Sequence, residues 1–121
     1  IVAIVDRNFI QIDGNTEEIL PLGDLAKKYA EFGWHAQEVD GHNFEELNDA
    51  INRAHSIADK PSIIIAITTP SKGVKSFEND YRWHGNPPGL GPTDIVAKDK
   101  QKEVALSELQ ELKDRLESLK K

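Results

Sequence analysis

Ser62-Ile63-Ile64-Ile65-Ala66-Ile67-Thr68 contains the longest apolar run of this 121-residue chain and decides its fold class. The run is rich in β-branched residues and shows no polar–apolar alternation, which is the pattern of a strand buried on both faces. It is far shorter than the roughly 20 apolar residues needed to cross a bilayer. The stretch therefore predicts a core strand of a parallel sheet and gives no support for a membrane span.

Two further strand patterns precede this core strand. Ile1-Val2-Ala3-Ile4-Val5 is apolar with little alternation, so we expect a strand that is also buried on both faces. Trp34-His35-Ala36-Gln37-Glu38-Val39 predicts another strand, and Asp40-Gly41-His42 ends it. The chain thus offers three strands, each separated from the next by enough residues for a crossover helix.

Helical patterns fill both of these intervals. In the first, Leu25, Tyr29 and Phe32 share one face, and Gly33 is well placed to end the helix in a left-handed conformation. In the second, Asn43 can cap a helix whose apolar stripe consists of Phe44, Leu47, Ile51, Ala54 and Ala58. The order strand, helix, strand, helix, strand predicts an α/β fold with a parallel sheet and flanking helices.

The remainder of the chain reads as a long loop and a final helix. Residues 69–94 are rich in Pro and Gly, and a loop of this length is usually functional or disordered. Tyr81 and Trp83 favour order, because aromatic side chains normally bury area. From about residue 99 onward, spacings of three and four predict a helix that packs on its own domain or, alternatively, docks on a partner; its apolar positions are Ala105, Leu109, Leu112, Leu116 and Leu119.

Composition excludes several classes of function. The chain has no cysteine, so disulfides, zinc–thiolate sites and a cysteine nucleophile are ruled out, and a cytoplasmic setting is expected. The net charge of −6 argues against nonspecific nucleic-acid binding. There is also no methionine, and the first residues already read as a core strand. We therefore expect the sequence to start inside a longer protein, with N-terminal processing as the alternative.

Two polar residues stand where a parallel sheet binds ligands, in the loops after the strands. Asn8 carries an amide oxygen, which together with a backbone carbonyl and a carboxylate could hold a magnesium ion bound to phosphate. Spacing alone favours the simpler reading of Asn8 as a turn residue that bonds its own backbone. His84 could donate a hydrogen bond to phosphate or shuttle a proton, or it could anchor the loop, and the residues alone leave both open.

The segment Ile1-Val2-Ala3-Ile4-Val5-Asp6-Arg7-Asn8-Phe9-Ile10-Gln11-Ile12-Asp13-Gly14 resembles the second half of the thiamine-diphosphate motif of transketolases. That motif opens with Gly-Asp-Gly and closes with a strand ending in Asn. Further pieces are similar to the family in order and spacing, up to about residue 88: Thr16-Glu17-Glu18-Ile19-Leu20-Pro21-Leu22, Phe32-Gly33-Trp34-His35, Glu38-Val39-Asp40-Gly41-His42, Lys60-Pro61-Ser62, Ser71-Lys72-Gly73-Val74, Ser76-Phe77-Glu78-Asn79 and Trp83-His84-Gly85.

The resemblance implies a role for each matched position. Asn8 would coordinate Mg²⁺ or Ca²⁺ through its side chain, and Ile10 would do so through its backbone carbonyl. Ile12 would pack on the thiazolium ring of thiamine diphosphate. His84 would contact the cofactor diphosphate and the sugar substrate, and is the expected catalytic residue. The implied activity is transfer of a two-carbon ketol unit from a ketose phosphate to an aldose phosphate, as in the pentose phosphate pathway.

The resemblance also implies that the site is incomplete. Residues 1–98 would form the second part of the thiamine-diphosphate-binding domain, and residues 99–121 a helix packed on it or on a partner. The Gly-Asp-Gly segment, whose aspartate is the third metal ligand, is absent, and so is the pyrimidine-binding domain with its activating glutamate. Ser71 stands where many relatives have Gly, so the chain departs from the family pattern in that loop.

A partner is therefore expected, either the remainder of the enzyme or a separate pyrimidine-domain subunit that meets this chain at a dimer interface. We expect the chain alone to be inactive. The alternatives are a piece of a related thiamine enzyme, such as deoxyxylulose-phosphate synthase or the first component of a 2-oxo-acid dehydrogenase, and a noncatalytic subunit that binds a partner.

Overall fold

A computed structural model describes residues 1–120 and divides them into two compact units. The first unit consists of Ile1–Phe9 and Leu20–Thr68, and the second consists of Ile10–Ile19 and the chain from Thr69 onward. The elements in chain order are β1 (Val2–Arg7), β2 (Ile10–Gln11), β3 (Gly14–Asn15), α1 (Thr16–Ile19), α2 (Leu25–Glu31), β4 (His35–Asp40), α3 (Phe44–Ser56), β5 (Ser62–Ile67), a 3₁₀ turn (Tyr81–Trp83) and α4 (Gln101–Ser118).

The first unit is built on a three-stranded parallel sheet in the order β1-β5-β4. Ser62 lies opposite both Val2 and His35, and the pairing runs in register to the other end of the strands. This confirms the predicted α/β fold with a parallel sheet and flanking helices. The last of the three strands in the chain occupies the centre of the sheet, so β5 is the strand that is buried on both faces.

Helices cover both faces of β5. On one face α3 packs Ala50 and Ala54 against Val39, Ile64 and Ala66, and the partly buried Leu47 and Ile51 complete this cluster. Because side chains alternate along a strand, Ile63 and Ile65 point to the other face, where α2 lies beside β4 and β5. The central strand is thus enclosed by apolar side chains on both sides.

The expectation that β1 is buried on both faces is wrong. Ile4 is 55% exposed and Val2 is 38% exposed, whereas Ile64, which pairs with Ile4, is fully buried. The physical reason is position: β1 is an edge strand of this sheet, and α3 is centred over β5 and β4 rather than over β1. An apolar run indicates that a strand can be buried, but it does not indicate which neighbouring elements cover that strand.

The predicted helix ends are mostly correct. Asn43 caps α3 by accepting hydrogen bonds from the backbone N–H groups of Glu45 and Glu46, and Gly33 follows α2 with a φ of 82°. Two predicted core positions are wrong, because Phe32 and Phe44 are both largely exposed. Both lie at helix ends, where periodicity cannot tell whether the terminal turn still lies over the sheet. Ala58 lies beyond α3, which ends at Ser56.

The second unit has its own small core, which orders the long loop. Phe77 and Trp83 stack with their ring centroids 3.6 Å apart, and Val96 and Ala105 pack against them. A side chain at Gly91 would overlap the indole ring of Trp83. The loop backbone therefore comes so close to this ring that only glycine fits at position 91. The aromatic residues therefore do what the sequence predicted and hold the loop in a defined conformation.

Gln101, the first residue of α4, is fully buried and ties the loop to the helix. Its amide nitrogen donates to the carbonyls of Gly91, Pro92 and Val96, and its amide oxygen accepts from the N–H groups of Gly89 and Gly91. A single side chain thus satisfies several backbone groups of a segment that has no sheet or helix of its own. Sequence reasoning did not single out this residue.

The final helix is confirmed, and its packing on the second unit reaches its middle turns, because Leu112 is half-buried and a Cβ at Gly73 would lie 3.4 Å from Cδ2 of Leu112. Ala105 is buried in the core of the second unit, whereas Leu109, Leu116 and Leu119 are exposed. Over residues 1–120, no helix is both long enough and apolar enough to cross a membrane.

We predict that Gln101→Leu destabilises the second unit. The substitution leaves buried N–H and carbonyl groups without partners, and each such group costs about 1–3 kcal/mol. Urea unfolding followed by Trp83 fluorescence in a Trp34→Phe background measures the effect, with Gln110→Leu at an exposed position of the same helix as the control. Equal free energies of unfolding for the two variants would contradict this account.

Candidate functional site

The carboxyl ends of the three parallel strands are held together within the first unit. The Thr68 hydroxyl donates a short hydrogen bond to the Asp6 carboxylate, and the Thr68 N–H donates to the carbonyl of Arg7 at 3.2 Å. On the other side of β5, the Gly41 N–H donates to the carbonyl of Ile67 at 2.8 Å. A Cβ at Gly41 would lie 2.5 Å from Cγ2 of Thr68, so this crossing also requires glycine.

Asn8 leaves β1 at this edge and is half-buried. The next residue, Phe9, has a φ of 61°, a conformation that is strained for a bulky side chain. The buried guanidinium of Arg7 lies 4.1 Å from the centroid of the Phe9 ring, a distance typical of a cation–π contact. Strain of this kind persists where surrounding contacts fix the backbone, as they often do at functional sites. The Asn8 side chain is thus carried on a backbone of defined geometry.

Ile10 and Ile12 belong to a short hairpin in the second unit. Ile10 lies in β2 opposite Asn15 of β3, and the Asp13 N–H donates to the side-chain oxygen of Gln11 at the turn. Ile10 is buried, whereas Ile12 at the tip is 75% exposed. The hairpin presents an apolar side chain at its tip, a surface suited to packing on a flat apolar ring. Its two-residue strands are too short for periodicity to predict.

His84 follows the 3₁₀ turn in the same unit. Its backbone N–H donates to the carbonyl of Tyr81 at 2.8 Å, while the imidazole is exposed. The β2–β3 hairpin lies beside this turn, so the second unit brings the hairpin and the His84 segment together. Asn86 also fixes the segment, because its side-chain amide donates to the carbonyl of Arg82 at 2.8 Å.

An ion-pair network holds the turn that leads into His84. Arg82 contacts Asp80 at 2.6 Å and Asp94 at 2.9 Å, and Asp80 also caps the turn by accepting from the Arg82 N–H. The hydrogen bonds from Arg82 hold the pKa of both Asp80 and Asp94 below the usual range, and Asp80 in turn raises the pKa of Arg82. All three groups therefore stay charged at neutral pH. Sequence reasoning missed this network, although aspartate is a common residue at the N-cap of a helical turn.

The donor atoms for a metal ion are few. Over residues 1–120, no group of three His, Asp or Glu side chains is placed to hold a metal. The side-chain oxygen of Asn8, in the first unit, and the backbone carbonyl of Ile10, in the second, are hard neutral donors of the kind that Mg²⁺ and Ca²⁺ accept. Neither donor carries a charge.

Comparison with known proteins identifies the family of the chain. Residues 1–107 match the family described as transketolase, thiamine diphosphate binding domain, so the match extends past the segment that resembles the family in sequence. A relative named 6-deoxy-6-sulfo-D-fructose transketolase subunit SqwG, from Clostridium sp. (strain MSTE9), is 42% identical over 69% of this chain and 30% of its own length. One of the subunits of the apulose-4-phosphate transketolase of Phocaeicola vulgatus is 35% identical over 73% of this chain and 31% of its own length.

Solved transketolase structures share the fold. A transketolase mutant structure from Pichia stipitis superimposes with a TM-score of 0.63, at 23% identity, over 97% of this chain and 19% of its own. The Campylobacter jejuni transketolase gives a TM-score of 0.61 at 24% identity, over 96% of this chain and 21% of its own. The chain thus spans less than a third of the length of these relatives. By the family match and the fold together, it belongs to the transketolase family, within the thiamine-diphosphate-binding domain.

Proposed function

We propose that this chain supplies the metal- and diphosphate-binding edge of a transketolase that moves a two-carbon ketol unit from a ketose phosphate to an aldose phosphate. The observation that carries the proposal is the fixed turn at Asn8–Phe9, which follows a strand of the parallel sheet in a chain of this family. Ligands of parallel α/β sheets bind beyond the carboxyl ends of the strands.

In this proposal Asn8 and Ile10 hold a Mg²⁺ or Ca²⁺ ion that also binds the cofactor diphosphate. Both donors are uncharged, so they orient the ion without neutralising it, and the phosphate oxygens and a carboxylate from outside this chain supply the negative charge. The chain carries a net charge of −6, and a bound cation offsets the repulsion between such a chain and a diphosphate.

Ile12 and His84 act on the other parts of the cofactor and substrate. The exposed side chain of Ile12 packs on the thiazolium ring, where only an apolar surface is needed. The imidazole of His84 donates a hydrogen bond to the diphosphate or to a substrate oxygen and can take up or release a proton there. Thiamine diphosphate, when bound, supplies the nucleophilic carbon that carries the two-carbon unit, and the protein positions it.

A partner chain completes the site. Two relatives of this chain are subunits by their names, and each is more than three times as long as the part it shares with this chain. We propose that the missing carboxylate ligand and the pyrimidine-binding domain come from the rest of the enzyme or from a separate subunit, at a dimer interface. An assay of the assembled enzyme with two alternative donors, a ketose phosphate and pyruvate, distinguishes a transketolase from the related thiamine enzymes. If pyruvate were the better donor, the assignment as a transketolase would be wrong.

The isolated chain is expected to bind thiamine diphosphate and Mg²⁺ weakly and to show no ketol transfer, because it holds only part of the metal shell. Isothermal titration calorimetry measures the binding, and a coupled assay with xylulose 5-phosphate and ribose 5-phosphate measures the turnover. Robust turnover by the 121 residues alone would refute the partial-site proposal.

Asn8→Ala is expected to weaken Mg²⁺-dependent binding of thiamine diphosphate to the assembled enzyme by roughly tenfold or more, since loss of groups that shape a metal site costs about 10–100-fold. The melting temperature should change much less than the affinity. Asn52→Ala, at an exposed position of α3, is the matched control and should leave binding unchanged. Equal affinities for the two variants would remove Asn8 from the metal site.

His84→Ala is expected to lower kcat or raise KM of the assembled enzyme, with a loss in kcat/KM of about 100-fold if the imidazole moves a proton. The fold should survive, because the side chain is exposed and the turn is held by Arg82. His55→Ala, on the exposed side of α3, removes an imidazole elsewhere and serves as control. A His84 variant with the kinetics of the control would show that this histidine only anchors its loop.

A further inference from the structure

The loop between β5 and the 3₁₀ turn lies against α4, and one carboxylate of that helix binds it. Glu108 accepts two hydrogen bonds from Ser76, one from the backbone N–H at 3.1 Å and a short one from the hydroxyl. Hydrogen bonds to a carboxylate are roughly twice as strong as bonds between neutral groups. Glu108 is half-buried, so water competes for it less than for the exposed carboxylates of α4.

Close packing of the loop backbone adds to this link. A Cβ at Gly73 would lie 3.3 Å from Cδ2 of Leu109 and 3.4 Å from Cδ2 of Leu112, so the loop rests directly on the helix. The Gly73 N–H also donates to the side chain of Glu78 at 2.8 Å, which ties the two arms of the loop together. Glu108 is thus the polar part of a wider contact between the loop and α4.

The residue that Glu108 binds is next to the aromatic core that leads to His84. Ser76 precedes Phe77, whose ring stacks on Trp83 with the centroids 3.6 Å apart, and Trp83 directly precedes His84. Protein interiors are packed as densely as crystals, so they transmit displacements instead of absorbing them. A shift of Ser76 therefore moves the Phe77 ring and, through the stack, the backbone from which His84 extends.

Two side chains of α4 hold the chain on either side of His84. Glu108 binds the segment before it, and Gln101 binds residues 89–96 after it. Because Gln101 and Glu108 are seven residues apart, they lie on the same face of the helix, about two turns from each other. The helix thus fixes both flanks of His84, while the Arg82 network fixes the turn itself and the imidazole stays exposed.

We propose that Glu108 is a positioning residue for His84. It holds Ser76 on α4 and thereby sets where the imidazole lies relative to cofactor and substrate. Glu108 acts through the loop and the aromatic stack, not on the ligand. Its effect on turnover rests on the proposed function of His84, whereas its effect on the position of the imidazole does not. Loss of Glu108 should therefore affect turnover only as long as His84 is present.

Steady-state kinetics of the assembled enzyme tests this dependence. Glu108→Ala should lower kcat/KM about tenfold, which is less than the roughly 100-fold loss that a misplacement of about 1 Å can cause. The loss should fall in the same parameter, kcat or KM, that His84→Ala changes. In a His84→Ala background the substitution should have no further effect, because the two residues act as one unit. Losses that multiply in the double variant would overturn the proposal.

Two further variants separate the hydrogen bonds to Ser76 from an effect of charge. Glu111→Ala removes the same charge at an exposed position of α4 and should leave kcat/KM unchanged. Glu108→Gln keeps an acceptor oxygen for Ser76 and should restore most of the loss. An Ala variant at Glu111 that is as impaired as Glu108→Ala, or no recovery with Gln, would contradict the positioning role.

Circular dichroism checks that α4 is retained in each variant. If Glu108→Ala loses the helix, Ser76→Ala takes its place in the same cycle, since it removes only the hydroxyl that donates to Glu108. Its loss in kcat/KM should be smaller but should again vanish in the His84→Ala background. Persistence of that loss without His84 would count against the proposal in the same way.

Nuclear magnetic resonance of the isolated chain follows the imidazole without any turnover. The ring resonances of His84 should shift in Glu108→Ala and stay in place in Glu111→Ala. The other three histidines, all in the first unit, serve as internal references. Unshifted His84 resonances in Glu108→Ala would refute the positioning role. If the parent assembly transfers no ketol unit, the proposed function fails, and these resonances alone decide whether Glu108 positions His84.

Discussion

Burial of β5 is the constraint on which the first unit depends. Its apolar side chains are covered from both faces, and its backbone groups pair with a strand on each side. A strand buried in this way depends on both neighbouring strands for its hydrogen bonds and on both helices for its cover, so the parallel sheet and its crossover helices stabilise one another. The edge strand β1 is held in the sheet by its pairing with β5. This pairing places Asn8, which follows β1, at the carboxyl edge of the sheet.

The second unit is stabilised differently, because most of it is loop. Loop backbone needs hydrogen-bond partners that regular structure would otherwise provide. Gln101 supplies several of them from one buried amide, and the stacked rings of Phe77 and Trp83 supply the apolar core beside it. The network of Arg82 with two aspartates then fixes the turn from which His84 extends. A long loop is therefore held in place mainly by side chains.

The proposed site residues lie at the ends of secondary-structure elements rather than within them. Asn8 follows β1, Ile12 lies at a hairpin tip and His84 follows a single 3₁₀ turn. Each is accessible to a ligand while its backbone is fixed by buried neighbours. This arrangement suits an enzyme in which the cofactor performs the bond chemistry and the protein contributes position and charge.

The sequence by itself determined the fold class, because apolar runs without alternation separated by helical periods permit little other than a parallel α/β sheet. It also determined the cap at Asn43, the glycine after α2 and the order of the aromatic loop, since these depend on local chemistry. The sheet order, the exposure of Val2 and Ile4, and the roles of Gln101 and Arg82 came only from the tertiary structure. The physical reason is that periodicity records which side chains can be buried, whereas actual burial and pairing depend on neighbours distant in sequence, which a local pattern does not specify.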